Sequence, residues 1–246
     1  MKFTLKHYYP FSAATGLQGG SLLSADAWDR VRLGETALGE NPAFGLPSER
    51  NEWLRLCRQN SSAAESAAAI AEIIRREDYR TVISVGVGRA CVEFHLKSLL
   101  PAVRLVCTEY APRVVERLRA MFTECDRIEH WDLLAADWTQ VEPQTLVLLN
   151  RVDTELDDSQ WAMVFGRLYL GGIRDVLVIA TGFVTFKMVL MELALRIRSV
   201  LRREPLTFAG YARTERQFRE MWGPHYEIIQ QPVIAGLQGY LLRRVN

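Results

Sequence analysis

The sequence predicts an α/β fold: five parallel strands covered by helices on both faces, followed by an antiparallel hairpin at the C-terminal end. Three observations carry this reading. From about residue 60 onward, short apolar runs alternate with helical segments, as in a doubly wound parallel sheet. Near the end of the chain the alternation stops. The apolar runs 226–233 and 239–245 are too close in sequence for a parallel crossover, so they must pair antiparallel. Finally, the first strand passes through Gly86 and Gly88 directly into a helix, which marks one edge of the sheet as a place for a ligand.

Residues 1–60 differ in texture from the rest. Glycine and proline punctuate them from Pro10 to Pro47, around one predicted helix at 24–38. Ser24 is placed to cap that helix, and Asp26 falls in its first turn. This stretch reads as an N-terminal helical cap or lid on a domain spanning 61–246. Ser62-Ala63-Ala64-Glu65 has capping-box spacing, and the following Ala67, Ile70, Ala71 and Ile74 supply an apolar helix face. Strands are predicted at 81–85, 103–107, 127–131, 145–149 and 176–180. Helices at 91–100 and 112–122 lie between them, and Asp157 or Asp158 caps another that runs through 170. Pro101 stops the first of these, Pro112 opens the second, and Gly171-Gly172 ends the third. A long helix over 183–203 and a shorter one from Thr214 precede the hairpin.

The chain has 246 residues, 49% hydrophobic and 24% charged, enough for a full core without disulfide or metal staples. A formal net charge of +1 gives no global pull toward nucleic acid or an anionic membrane. Seven arginines between Arg196 and Arg219, Arg213 among them, read as the solvated side of two helices, with Glu192, Glu204, Glu215 and Glu220 interleaved. Cys57, Cys91, Cys107 and Cys125 have no metal-ligand spacing, which fits free thiols in a reducing compartment. The N-terminus has no signal-peptide pattern, so the expected location is the cytoplasm. The most apolar stretch, 183–197, is interrupted by Lys187, Glu192 and Arg196. It reads as a buried or interface helix, with no membrane involvement expected.

The chemistry concentrates at the strand ends. Gly86 and Gly88 permit a tight turn and close ligand approach, and the helix behind them offers unpaired N–H groups and positive potential. Glu109, about 20 residues past this turn, can accept hydrogen bonds from both hydroxyls of a ribose. Asp132, at the end of the third strand, can receive an exocyclic amine, and Leu133 beside it can contact a purine ring. Asn150, Arg151 and Asp153 are polar groups closing a very apolar fourth strand.

With these residues in place, the chain resembles the class I S-adenosylmethionine-dependent methyltransferases over roughly residues 60–246. The resemblance implies an open, doubly wound, seven-stranded sheet, mostly parallel with a reversed last strand, which the terminal hairpin matches. It implies S-adenosylmethionine as cofactor. Ser84, Gly86, Val87 and Gly88 would form the first motif, and Glu109 with Tyr110 the ribose site. Asp132 with Leu133 would hold the adenine, and Asn150 with Arg151 would line the methyl-transfer region. Two positions depart from the family pattern: Ser84 replaces an acid, and Ala90 replaces a third glycine, acceptable if the helix has already begun there. A nicotinamide dinucleotide site is the rival reading. It would require Gly at position 91, where Cys91 stands.

Candidates for a general base are Asp153, just past the fourth strand, and His225, in a loop after Gly223-Pro224. Tyr8 and Tyr9, in an aromatic N-terminal cluster, are candidate substrate contacts on a lid. No metal is expected: Ala180-Thr181-Gly182-Phe183 follows the fifth strand without hard oxygen ligands. The Asn-Pro-Pro-aromatic motif of base and amide methylation is replaced by Asn150-Arg151-Val152-Asp153. The expected reaction is therefore metal-independent methyl transfer to oxygen or nitrogen of a small metabolite. Peptide or RNA methylation and a non-catalytic cofactor-binding role are the alternatives, and a homodimer is left open.

Overall fold

In chain order the elements are strand β1 (Leu5–Tyr9), helices α1 (Ala25–Arg32), α2 (Arg50–Gln59) and α3 (Ser61–Arg76), then β2 (Thr81–Val85), α4 (Cys91–Leu99), β3 (Arg104–Glu109), α5 (Pro112–Met121), β4 (Arg127–His130) and β5 (Thr145–Asn150). They continue with α6 (Asp158–Leu170), β6 (Asp175–Ile179), α7 (Phe186–Arg202), β7 (Thr207–Ala212), α8 (Glu215–Glu220), β8 (Tyr226–Gln230), β9 (Val233–Ile234) and β10 (Leu237–Arg244). This computed structural model describes residues 4–9, 21–36, 38–41 and 44–245.

The main sheet runs in the order β4-β3-β2-β5-β6-β10-β8, with the two-residue β9 paired to β10. Strands β2 to β6 are mutually parallel. The last strand, β10, inserts antiparallel between β6 and β8, so it is the reversed member. Every residue of β2 and β6 is buried, which explains their unbroken apolar sequence. Alternate residues face opposite cores. Val82, Leu146 and Leu148 join α2, α3, α4 and α5 on one side, and Ile83, Val147 and Leu149 join α6 and α8 on the other. Each such side chain contributes about 1.5–3 kcal/mol by leaving water.

Several boundaries differ from the sequence expectation. The helix at 24–38 keeps its Ser24 cap, whose side chain accepts the Ala27 N–H, but ends at Arg32. The cap of α3 is Asn60, accepting the Ala63 N–H, so Ser62 already lies inside the helix. Helix α2 was not foreseen, because its apolar face is narrow. Only Trp53 and Cys57 are buried in it, yet both belong to the main core. The capping boxes at Asp157–Gln160 and Thr214–Gln217 start α6 and α8. All four cysteines are free, with Cys57 Sγ 3.3 Å from Cys91 Sγ and Cys107 Sγ 3.4 Å from Cys125 Sγ.

A second, two-stranded sheet pairs β1 with β7 antiparallel and lies against the loop after β5. There the Tyr211 N–H donates to the Thr154 carbonyl at 2.9 Å. Arg213 locks this junction. Read from sequence as a surface residue, it is 2% exposed, with Nε donating to Asp158 at 2.7 Å and its other nitrogens to the Asp153 and Leu156 carbonyls. Glu192, also expected on a solvated face, is buried against His7. Arg213→Met keeps the volume but removes every one of these hydrogen bonds. It is expected to cost roughly 3 kcal/mol, measurable as a shift of the urea midpoint.

Candidate cofactor and substrate cleft

A cleft of about 870 Å³ opens at the carboxyl ends of β2, β3 and β5, the edge where open α/β sheets bind ligands. Nine of the residues singled out from sequence line it: Gly86, Val87, Gly88, Glu109, Tyr110, Asp132, Leu133, Asn150 and Arg151. The topology assembles them, because parallel neighbours all end on the same side.

The glycine turn has specific steric reasons. Gly86 has φ +67, and a Cβ there would sit 2.6 Å from Val152 Cγ1. Gly88 has φ +56, and a Cβ there would meet the Arg32 guanidinium at 2.8 Å. Ala90 is not yet helical. It is the residue before α4, in the left-handed region at φ 56, and it offers no side-chain cap. The start of α4 thus has no side-chain cap from Ala90, and its first residues, Cys91, Val92 and Glu93, line the cleft. An alanine held in this conformation is strained by about 1–2 kcal/mol. Ala90→Gly is expected to raise stability by about 0.5–1 kcal/mol once glycine's larger unfolded-state entropy is subtracted, read as a higher Tm.

Glu109 is 8% exposed. One carboxylate oxygen accepts the Gly88 N–H at 2.7 Å, and the other accepts the N–H groups of Tyr110 and Ala111 at 2.8 and 3.2 Å. These bonds orient the carboxylate at the end of β3 and tie it to the glycine turn. Asp132 accepts the Leu134 N–H at 2.9 Å, which shapes the loop that presents Leu133 to the cleft.

Ser84 does not reach the cleft. It is fully buried, and its hydroxyl donates to Glu93 Oε1 at 2.7 Å. Glu93, in the first turn of α4, does line the cleft. Burial pushes its carboxyl up to about 7, with the Ser84 hydroxyl opposing and the nearby Glu109 charge reinforcing the shift. An acid is thus present beside the glycine turn, supplied by the helix and steadied by the serine on the strand. The sequence signal was available nine residues beyond Ser84, but nothing local indicated which way Glu93 points.

Neither Asp153 nor His225 is among the residues that line the cleft. Asp153 is 3% exposed, and its carboxylate accepts the Thr181 N–H and hydroxyl at 2.8 and 2.7 Å. Burial raises its pKa, and the Thr181 bonds oppose that rise. It joins the loops after β5 and β6 and does not line the cleft. His225 stacks on Tyr169 near the far end of α6, its centroid 4.9 Å from that ring. That end of the helix lies roughly 16 Å from the strand ends, at 1.5 Å per residue. No histidine lines the cleft among the described residues.

Three other groups do line it: Trp28 and Arg32 from α1, and Glu155 from the loop after β5. The Arg32 guanidinium lies over the Trp28 ring at 5.0 Å and donates to the Phe44 carbonyl at 2.8 Å. Burial lowers its pKa while the Glu109 and Glu155 carboxylates oppose that shift. Glu155 accepts the Trp28 indole N–H at 3.1 Å, and burial pushes its carboxyl up to about 7. Tyr8 packs on Phe208, ring to ring at 5.5 Å, and Phe208 in turn lines the cleft. Tyr9 pairs its backbone with Thr207, while its side chain and Pro10–Gly20 lie outside the described residues.

The strand order and the reversed β10 give the fold of solved S-adenosylmethionine-dependent methyltransferases. Human N-acetylserotonin methyltransferase, solved in complex with S-adenosylmethionine, superposes with TM-score 0.54 at 15% identity, over 80% of this chain and 57% of that one. Mitomycin 7-O-methyltransferase MmcR gives TM-score 0.53 at 18% identity, over 78% of this chain and 60% of that one. Magnesium protoporphyrin IX methyltransferase from Synechocystis PCC 6803, solved with bound S-adenosylhomocysteine, gives 0.53 at 10% identity, over 75% and 84%. The chain thus spans little more than half the length of the first two. No protein-family model matches it, and no curated protein does. No described helix is long and apolar enough to cross a membrane.

Proposed function

We propose that the chain binds S-adenosylmethionine and transfers its methyl group, without a metal, to an oxygen or nitrogen of a small metabolite. The observation that carries this is Glu109, a carboxylate at the end of β3 held by the Gly88 N–H in the same cleft as Asp132. Glu109 would take the ribose hydroxyls, Asp132 and Leu133 the adenine, and Gly86 and Gly88 would let the cofactor lie close to the backbone. Glu93 offers a carboxylate to the cofactor's ammonium group, filling the role of the acid replaced by Ser84. When bound, the cofactor supplies an electrophilic sulfonium methyl.

The base assigned from sequence to Asp153 passes to Glu155 in this reading. It lies on the cleft and is poised near neutral pH, where a general base is most effective. Trp28 fixes its orientation, so α1 completes this side of the site. Trp28, Phe208 and Tyr211 give part of the cleft an aromatic lining suited to a flat apolar acceptor. The small-molecule acceptors named for mitomycin 7-O-methyltransferase and N-acetylserotonin methyltransferase support this substrate class. The metal-independent mechanism rests on the donors after β6, where the Thr181 hydroxyl is already engaged by Asp153.

The test is calorimetric and thermal-shift titration with S-adenosylmethionine, S-adenosylhomocysteine and NAD. Both sulfur ligands are expected to stabilise the protein, by roughly 2.7 kcal/mol at 100 times Kd, and NAD is not. Failure of both sulfur ligands to bind sinks the proposal. Tight binding with no turnover on any acceptor panel would favour the non-catalytic reading.

A further inference from the structure

Helix α7 turns its apolar side outward. At about 100° per residue, Phe186, Leu190, Leu193, Ile197, Val200 and Leu201 gather within roughly a third of its circumference. These six side chains are between 49% and 78% exposed. The one buried residue of the helix is Glu192, away from that stripe, which takes His7 and the Tyr8 N–H from β1. A surface helix ordinarily buries its apolar stripe and exposes its charge. Here the only acid is turned inward and the apolar stripe faces out.

The charges along the stripe say what would cover it. Lys187 and Arg198 border it on one flank, and Arg202 and Arg203 stand at its C-terminal end, all exposed and none in an ion pair among the described residues. Arg196, at the opposite flank, is tied back to the Lys6 carbonyl and the Tyr8 ring. The stripe has the 4-3-4-3 spacing of a helix-pairing seam, from Phe186 through Leu190, Leu193 and Ile197 to Val200. A second copy of this helix, however, would bring cations against cations along the seam. A wide apolar stripe edged by unpaired cations is instead the pattern of a helix lying in a lipid headgroup layer.

We infer that α7 is a peripheral docking surface for an anionic lipid bilayer, its apolar stripe entering the acyl boundary and its cations meeting the headgroups. This differs from spanning a membrane, for which the helix is neither long nor apolar enough. The placement also has a use. Helix α7 rests on β1, β1 pairs with β7, and β7 contributes Phe208 and Tyr211 to the cleft. A docked helix would bring the cleft near a bilayer that holds apolar small molecules. The inference stands on α7 alone and does not depend on methyl transfer.

The test is co-sedimentation of the full chain with phosphatidylcholine vesicles, with and without phosphatidylserine, at low and high salt. Binding is expected only to the serine-containing vesicles and is expected to weaken as salt rises. Leu193→Glu with Ile197→Glu should lower partitioning at least about 10-fold, as should Arg198→Glu with Arg202→Glu. All four sites are exposed, so the variants should melt like the parent, which circular dichroism checks. No binding to anionic vesicles, or binding that survives the Leu193/Ile197 pair, overturns the inference. So does a dimer of the parent chain in light scattering that the same pair dissociates, because a second copy would then cover the face.

Discussion

Replacing Glu109 with alanine is expected to weaken S-adenosylmethionine and S-adenosylhomocysteine binding by about 100- to 1000-fold. In the proposed complex its carboxylate accepts from the ribose hydroxyls while holding the Gly88 N–H. Hydrogen bonds to a charged group contribute about 1.5–3 kcal/mol each, and the side chain makes more than one. The glycine turn also loses its anchor, because the N–H groups of Gly88, Tyr110 and Ala111 all point at this carboxylate. Glu109→Gln keeps the shape and one accepting oxygen, so an intermediate loss is expected. Calorimetry on the three proteins separates these cases. Equal affinity in all of them would place the ribose elsewhere and remove the main support for the assignment.

The second large effect belongs to Glu93, and it has opposite signs for stability and for binding. Its carboxyl titrates near 4.5 when unfolded and near 7 in the native cleft. The native state therefore keeps a proton that the unfolded chain releases between those values. Stability is greatest below the lower pH, falls as pH rises through the window, and stays reduced above about 7. Glu93→Gln removes that loss while still accepting the Ser84 hydroxyl. The variant is expected to be more stable than the parent at pH 8, by on the order of 3 kcal/mol.

Cofactor binding should move the other way. Only the ionised carboxylate attracts an ammonium, so parental affinity should rise up to about 10-fold per pH unit as pH approaches 7 from below. That range lies under the titration of a free α-amino group, which keeps the ligand charged. Glu93→Gln should bind at least about 10-fold more weakly and lose the slope. Glu155 shares the same pH window, so Glu155→Gln is the control: it should raise stability at pH 8 and leave the slope of cofactor binding. A Glu93→Gln protein that binds as tightly as the parent, with the parent's slope, would assign the acid a structural role.

The sheet and the edge that carries the cleft were legible because their signals are local. The buried strands read as unbroken apolar runs, and the hairpin followed from the spacing of its two strands. Gly86 and Gly88 stood where a strand meets a helix, and Glu109 and Asp132 stood at strand ends that parallel topology must bring together. Each of those inferences needs only a few consecutive residues and the rule that parallel strands finish on one side.

What a side chain meets across the fold was not written locally, and there the tertiary structure decided. Asp153 looked like a base by position, but Thr181 from the next strand end claims its carboxylate. His225 looked free in its loop, but it packs at the far end of α6. Arg213 sat in an arginine-rich run, yet three carbonyl and carboxylate partners bury it. Glu93, Glu155, Trp28 and Arg32 became cleft residues only when α1 and the loop after β5 closed around the glycine turn. The apolar periodicity of α7 was visible from the start, and the direction it faces was not. Periodicity comes from neighbours along the chain; burial, charge pairing and a shifted pKa come from neighbours in space, which only the folded molecule supplies.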